Sequence, residues 1–378
     1  MHVAELSRVL APLVDLNIRC FGDPRHPDFH GAHVQAYPVP GELADANAAV
    51  QTLGVDLTMI GDIQGADLVH SHTWYANMGG HLSSLMYDIP HVLSAHSLEP
   101  LRPWKAEQLG GGYRVSSFAE KTAYEAAAAI IAVSDGMRRD ILASYPDVDP
   151  QRVRTVHNGI DVSQWDRDEN TDVLDEYGID PAKPSVVFVG RVTRQKGVPY
   201  LLRAALQLPP EVQLVLCAGA ADTPELGAEV NALIDQLKTE REGVVLIEKM
   251  LPRRAVIQIL SHATAFACPS VYEPLGIVNL EAMACGAAVV ATATGGIPEV
   301  VVDGETGRLV PIKQVTDGTG TPLDPQKFVD DFAAALTDVV SDPDRARRMG
   351  QAGRTRAEEH FSWESIAQQT LEVYRSVL

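Results

Sequence analysis

The sequence predicts an α/β protein of two parallel-sheet domains, and three observations carry that prediction. Its 378 residues suffice for two domains, each with a full hydrophobic core. Short apolar, β-branched runs alternate with longer helical patterns in both halves, as strand–helix–strand units with mostly parallel sheets require. With 46% hydrophobic and 21% charged residues, the chain has no apolar run near the roughly 18 residues a spanning helix needs, so a globular protein off the membrane is expected. The 50 Asp and Glu against 31 Lys and Arg leave a net charge of −19, with the basic residues scattered, which disfavours nucleic acid as a partner. Cys20, Cys217, Cys268 and Cys285 show no C-x-x-C spacing and read as reduced core thiols of a cytoplasmic protein.

The chain opens in an amphipathic helical pattern, with apolar residues at 3, 6, 9, 10 and 13. This is not a signal peptide, which would have a basic start and an unbroken apolar core. Strands are expected at Val14–Cys20, Ala66–His70, His91–Ala95, Ile130–Val133 and Val153–Val156. A helix is expected over Ser117–Ala128, with Phe118, Ala123 and Ala127 facing a sheet. The stretch 161–184 is rich in Asp and Glu, has little apolar periodicity and ends in Asp180-Pro181-Ala182-Lys183-Pro184; it reads as a linker between domains at 1–160 and 185–361. Second-half strands are expected at Ser185–Val192, Val212–Ala218, Val244–Glu248, Ala265–Pro269 and Ala288–Thr292, with a short one at Gly307–Pro311. Both halves therefore read as Rossmann-like domains. After Ser362, a candidate N-cap, Trp363, Ala367, Leu371, Tyr374 and Leu378 make one apolar helical stripe over 362–378 that should dock on a domain surface. A Rossmann-like domain normally begins with a strand, so an opening strand is expected to be missing upstream of the first helix.

Two constellations carry chemistry. Gly190-Arg191-Val192-Thr193-Arg194-Gln195-Lys196-Gly197 follows a strong strand and precedes a helical pattern, at the carboxyl end of a sheet where ligands bind. Arg191 and Lys196 suit a diphosphate, and Gly197 after the lysine, where a P-loop has Ser or Thr, argues against an ATPase. The second is Pro269-Ser270-Val271-Tyr272-Glu273-Pro274-Leu275-Gly276, followed by a helix from about Gly276 to Ala284 with Gly286 as C-cap. Backbone N–H groups at Gly276, Ile277 and Val278 then form an anion site at a positive helix end. Glu273 sits in the turn, able to bind a sugar hydroxyl, and Glu281 follows in the helix, able to accept from ribose.

Glu273 and Glu281 with Pro274 and Gly276 between them, preceded by Gly190-Arg191…Lys196-Gly197 and followed by Thr294-Gly295-Gly296-Ile297-Pro298-Glu299, resemble the E-x7-E family of retaining glycosyltransferases with the GT-B fold. The resemblance covers essentially the whole chain and includes Ala132-Val133-Ser134 and His157-Asn158-Gly159-Ile160-Asp161. Four segments are most similar to actinobacterial-type glycogen synthases and the related α-maltose-1-phosphate synthases: His70-Ser71-His72-Thr73-Trp74, Ser94-Ala95-His96-Ser97-Leu98-Glu99-Pro100, Leu101-Arg102-Pro103-Trp104-Lys105 with Gly110-Gly111-Gly112-Tyr113, and Cys217 to Glu225.

The resemblance implies two Rossmann-like domains facing across a cleft and transfer of glucose from ADP-glucose, with retention by front-face attack. It implies that Arg191 and Lys196 neutralise the leaving diphosphate and that Glu273 holds donor hydroxyls. Gly190 lies in the donor-binding motif, Gly276, Ile277 and Val278 present N–H groups, Glu281 binds ribose, and His96 reaches the sugar ring. His72, Trp104 and Tyr113 fall on the acceptor side, and His70 is expected only to pack. The acceptor, an α-glucan or glucose 1-phosphate, stays open. His70 and His72 share a face of an extended segment and would suit zinc, but no third ligand follows at a suitable spacing. Asp147-Val148-Asp149 reads as a solvated loop, so neither a metal nor a cofactor beyond the donor is expected. The family normally opens with a strand and a Gly-rich loop just before the segment resembling His2-Val3-Ala4-Glu5-Leu6-Ser7; without them the expectation is an unstable or poorly active chain. Competing readings are the same fold with GDP-mannose or a UDP-sugar, a nicotinamide oxidoreductase, for which no G-x-G-x-x-G is present, and a non-catalytic nucleotide-sugar-binding protein.

Overall fold

The computed structural model describes residues 2–106 and 110–378. Its contacts divide the chain into two units, Met1–Gly159 with Trp363–Leu378, and Ile160–Ser362.

In the first unit, β1 (Asn17–Phe21) pairs parallel with β3 (Ala32–Tyr37), which pairs antiparallel with β2 (Asp28–Phe29). The sequence reading found neither β2 nor β3. Polar His33 and Gln35 and the Pro- and Asp-containing segment before them disguise a strand whose burial alternates along its length. A separate parallel sheet runs in the order β4 (Val69–His72), β5 (His91–Ala95), β6 (Ala129–Ala132), β7 (Val153–Thr155). The helix His2–Leu10 buries Leu6, Ser7 and Leu10, whereas Val3 and Leu13 of the expected stripe are exposed. Leu6 and Leu10 join Val92, Ala129 and Ile131 in one core with Trp363, Ile366, Ala367, Leu371 and Tyr374 of the helix Trp363–Arg375. The expected terminal stripe does dock, except that Leu378 lies beyond the helix and is exposed. Phe118, expected against a sheet, is exposed as well. The helix Gly112–Ala126 turns Ser116, Ala119, Glu120, Ala123 and Tyr124 inward, and five residues from Phe118 to Ala123 span well over one turn.

The second unit holds a six-stranded parallel sheet, β8 (Ser185–Val192), β9 (Gln213–Ala221), β10 (Val244–Ile247), β11 (Ala265–Cys268), β12 (Ala288–Thr292) and β13 (Gly307–Val310). The spatial order is β10-β9-β8-β11-β12-β13, so the winding reverses between β8 and β11. That reversal opens a crevice at the strands' carboxyl ends.

The expected linker is absorbed into this unit, since the chain passes from one unit to the other at Gly159 and Ile160. Within 161–184 the helix Asp172–Tyr177 buries Val173 and Leu174, and the Val173 N–H donates to Gln258 Oε1 at 2.6 Å. Gln258 Nε2 in turn donates to Asp168 and Asp172. A few apolar anchors, Trp165 and Ile179 among them, outweigh the acidic composition that suggested a solvated connection. No helix among the described residues is long and apolar enough to cross a membrane.

Candidate functional site

Both sequence constellations leave the sheet at the reversal, one after β8 and one after β11. Thr193 Oγ1 accepts the Lys196 N–H at 3.2 Å, closing a tight turn over Arg194–Lys196. Gly197 follows with φ of 63°, and a Cβ there would lie 2.1 Å from the Pro269 carbonyl oxygen. The Val271 N–H donates to the Gln195 carbonyl at 2.9 Å, so the two loops are locked together. A third loop joins from beyond β12. The Gly296 N–H donates to the Glu273 carbonyl at 3.0 Å, and a Cβ on Gly295 would come within 2.0 Å of that same oxygen. Only glycine tolerates such an approach at positive φ.

This framework presents Lys196 and Glu273 to each other, Nζ to Oε2 at 2.6 Å. Ser270 Oγ donates to the same carboxylate oxygen at 3.2 Å. Burial works against the Lys196 ammonium, and the Glu273 carboxylate more than offsets it, raising the lysine pKa. Arg191 is largely exposed, with Nη1 at 3.4 Å from Asp222 Oδ1. The helix Ile277–Ala284 starts at Gly276 with φ of 93° and no side-chain cap, leaving Ile277 and Val278 N–H groups at a positive helix end. Gly286 adopts the expected left-handed conformation past its end. Glu281, inside the helix, has its pKa raised to about 7 by burial, against the pull of Arg253 and Lys196. Gly190, Arg191 and Lys196 therefore lie at the carboxyl end of β8, and Glu273, the 276–278 backbone and Glu281 follow the neighbouring β11. Ser270, which orients Glu273, escaped the sequence reading because a serine after a strand carries no signal of its own.

The first unit assembles a histidine group. His72 ends β4, His96 follows β5, and His72 Nδ1 lies 3.1 Å from His96 Nε2, close enough to share one proton. His70 is tied at both ring nitrogens, to the Tyr374 hydroxyl at 2.7 Å and to Ser94 Oγ at 2.8 Å, which suits the packing expected of it. Burial depresses these imidazoles, His70 to about 3 and His96 to about 4, and leaves His72 and His2 well below the usual value. They are uncharged near neutral pH. The sequence found no third imidazole at a suitable spacing. The structure supplies one in His2, whose ring centroid lies 4.4 Å from that of His96 and 5.5 Å from that of His72. Spacing could not disclose it, because His2 arrives on a helix far away in the chain. Tyr113 donates its hydroxyl to the Glu99 carbonyl at 2.7 Å, and Trp104 is half-buried.

Two α/β units with parallel sheets, one of which brings two cations, two glutamates and an open helix start to its reversal, are the framework of a glycosyltransferase of the GT-B class. The comparisons agree. Residues 170–356 match the family described as glycosyl transferases group 1, and residues 1–164 match glycosyltransferase family 4. The α-maltose-1-phosphate synthase of Mycolicibacterium smegmatis is 55% identical over 380 aligned positions, covering 100% of this chain and 95% of that protein. The enzyme of the same name from Mycobacterium tuberculosis is 51% identical over the same shares. Among solved structures, sucrose-phosphate synthase from Thermosynechococcus elongatus superposes with a TM-score of 0.77 at 24% identity, covering 99% of this chain and 92% of that one. The Anabaena protein HepE in complex with UDP-glucose gives a TM-score of 0.76 at 22% identity, covering 99% and 96%. The chain belongs to the group 1 and family 4 glycosyltransferases.

Proposed function

We propose that the protein moves glucose from ADP-glucose, with retention of anomeric configuration, to glucose 1-phosphate, forming α-maltose 1-phosphate for α-glucan synthesis. The observation that carries the donor half is the Lys196–Glu273 pair beside the uncapped start of Ile277–Ala284, at the sheet reversal. The acceptor half rests on the 55% identity to an α-maltose-1-phosphate synthase along the whole chain.

Arg191, Lys196 and the N–H groups of Ile277 and Val278 meet the negative charge that grows on the diphosphate as the glycosidic bond breaks, the largest single contribution such a site makes. Glu273, fixed by Lys196 and Ser270, accepts hydrogen bonds from glucose hydroxyls. Glu281 accepts from ribose in its ionised form. His96, neutral near pH 7, offers a sugar hydroxyl one donor or one acceptor without competing charge. The acceptor hydroxyl attacks from the face the diphosphate leaves, and the departing phosphate oxygen takes its proton, so no side chain must act as nucleophile. With the diphosphate's charge met by side chains and backbone, the reaction needs no metal. The partners are then the nucleotide sugar and a sugar phosphate, in the cytoplasm.

ADP release tests this, with glucose 1-phosphate and glycogen compared as acceptors and ADP-glucose, UDP-glucose and GDP-mannose as donors. Turnover of ADP-glucose favouring glucose 1-phosphate is the expected result. Preference for glycogen would make the protein a glycogen synthase, preference for another donor would overturn the donor assignment, and binding of ADP-glucose without turnover would make it a binding protein.

A further inference from the structure

The histidine group brings three ring nitrogens together, a convergence for which the transfer reaction has no need. His2, His72 and His96 each bring one ring nitrogen to within 4.8 Å of those of the other two. Zinc held by imidazoles at about 2.0–2.1 Å in a tetrahedral site sets its ligand nitrogens about 3.4 Å apart. The 3.1 Å between His72 Nδ1 and His96 Nε2 is already in that range. His2 adds the deciding observation. Both its ring nitrogens are shut off from solvent with no hydrogen-bond partner; Asn158 acts on its charge, but no hydrogen bond of ordinary geometry joins them. An enclosed imidazole left without partners is costly, and a metal would supply what is missing.

Neighbouring side chains hold the rings in place. His70, anchored at both nitrogens, packs on His72 with centroids 4.3 Å apart, and Trp363 meets His2 edge-on at 5.2 Å. Three neutral imidazoles suit Zn²⁺, Co²⁺, Ni²⁺ or Cu²⁺ over the oxygen-loving Mg²⁺ or Ca²⁺. All three residues keep part of their surface exposed.

We infer that His2, His72 and His96 form a binding site for one divalent transition-metal ion of the zinc class. The site shares His96 with the transfer reaction proposed above. Its consequence for that reaction rests on the role proposed for His96: an imidazole that ligates zinc cannot serve a sugar hydroxyl, so zinc would inhibit.

The test is titration of the full chain with ZnCl2 in competition with a chromophoric chelator, and with CoCl2 read by visible absorption. One equivalent should bind, and cobalt should give the intense visible bands of a four-coordinate site. His2→Gln and His72→Gln, made separately so that a folding defect in one leaves the other readable, should each weaken binding at least tenfold. Replacing the exposed His26 and His33 by Gln together should change nothing. Binding unaltered by His2→Gln and His72→Gln, or abolished by loss of His26 and His33, would overturn the site. Binding without any effect on ADP release would leave the site standing and overturn the part given to His96.

Discussion

Glu273 retains only 7% of its surface exposure, and its carboxyl group is bonded to Lys196 and Ser270. Removing the cation alone should therefore harm both stability and chemistry. Lys196→Met is expected to lower kcat/KM about 10²–10³-fold, the range for losing one charge-stabilising donor. It should also cost about 3 kcal/mol of stability, because a carboxylate is left buried without its partner. The double variant Lys196→Met with Glu273→Gln should recover most of the melting temperature and none of the activity, which thermal melts beside kinetics will separate. If Glu281 binds ribose as proposed, it gives donor binding a pH dependence. With its pKa raised to about 7, it ionises only as pH passes that value, and only the ionised form is purely an acceptor for ribose hydroxyls. The KM for the donor should rise as pH falls below about 7, and Glu281→Gln should flatten that slope. Both glutamates were legible from sequence, since their spacing around Pro274 and Gly276 places one in a turn and the other in a helix. Their partner Ser270 was not.

At the scale of elements, the helices Ala48–Ile60 and Trp74–Tyr87 meet through an unusual contact. Asp56 is fully buried with neither carboxyl oxygen in a hydrogen bond of ordinary geometry, and a Cβ on Gly79 would stand 3.0 Å from its Oδ1. Burial raises its pKa from 3.8 to about 8, against a weak pull from the Gly79 backbone. The folded chain thus holds a proton that the unfolded chain releases near pH 4. The part of the stability that depends on Asp56 must fall as pH rises between about 4 and about 8. Asp56→Asn keeps the volume and removes the ionisation, so its melting temperature should exceed that of the parent at pH 8 and converge with it near pH 4. A difference between parent and variant that does not change from pH 4 to pH 8 would refute the argument. Strands such as His91–Ala95, Ser185–Val192 and Ala288–Thr292 were legible because each is an apolar run buried along most of its length. Ala32–Tyr37 was not, since half of it faces water.

For the molecule as a whole, the chain's last helix belongs to the unit in which the chain begins. Trp363, Ile366, Ala367, Leu371 and Tyr374 share a core with Leu6, Leu10, Val92 and Ile131. Deleting 363–378 should strip one side of that core, where loss of a single buried Trp costs about 3–5 kcal/mol. Hydrogen exchange read by mass spectrometry should show the amides of β5 and β6 losing protection while those of β8, β11 and β12 keep theirs. Equal protection in both units would mean that the helix adds nothing to the first.

The amino-acid sequence by itself determined the parallel α/β class, most strands and the position of Arg191, Lys196 and Glu273 just beyond strand ends. Each depends on local periodicity, or on the general rule that ligands gather where a parallel sheet reverses its winding. Tertiary structure alone decided that the acidic stretch 161–184 folds into the second unit, that Lys196 pairs with Glu273, and that His2 stands beside His72 and His96. These are meetings of side chains far apart in the chain, and packing selects such neighbours where spacing does not encode them.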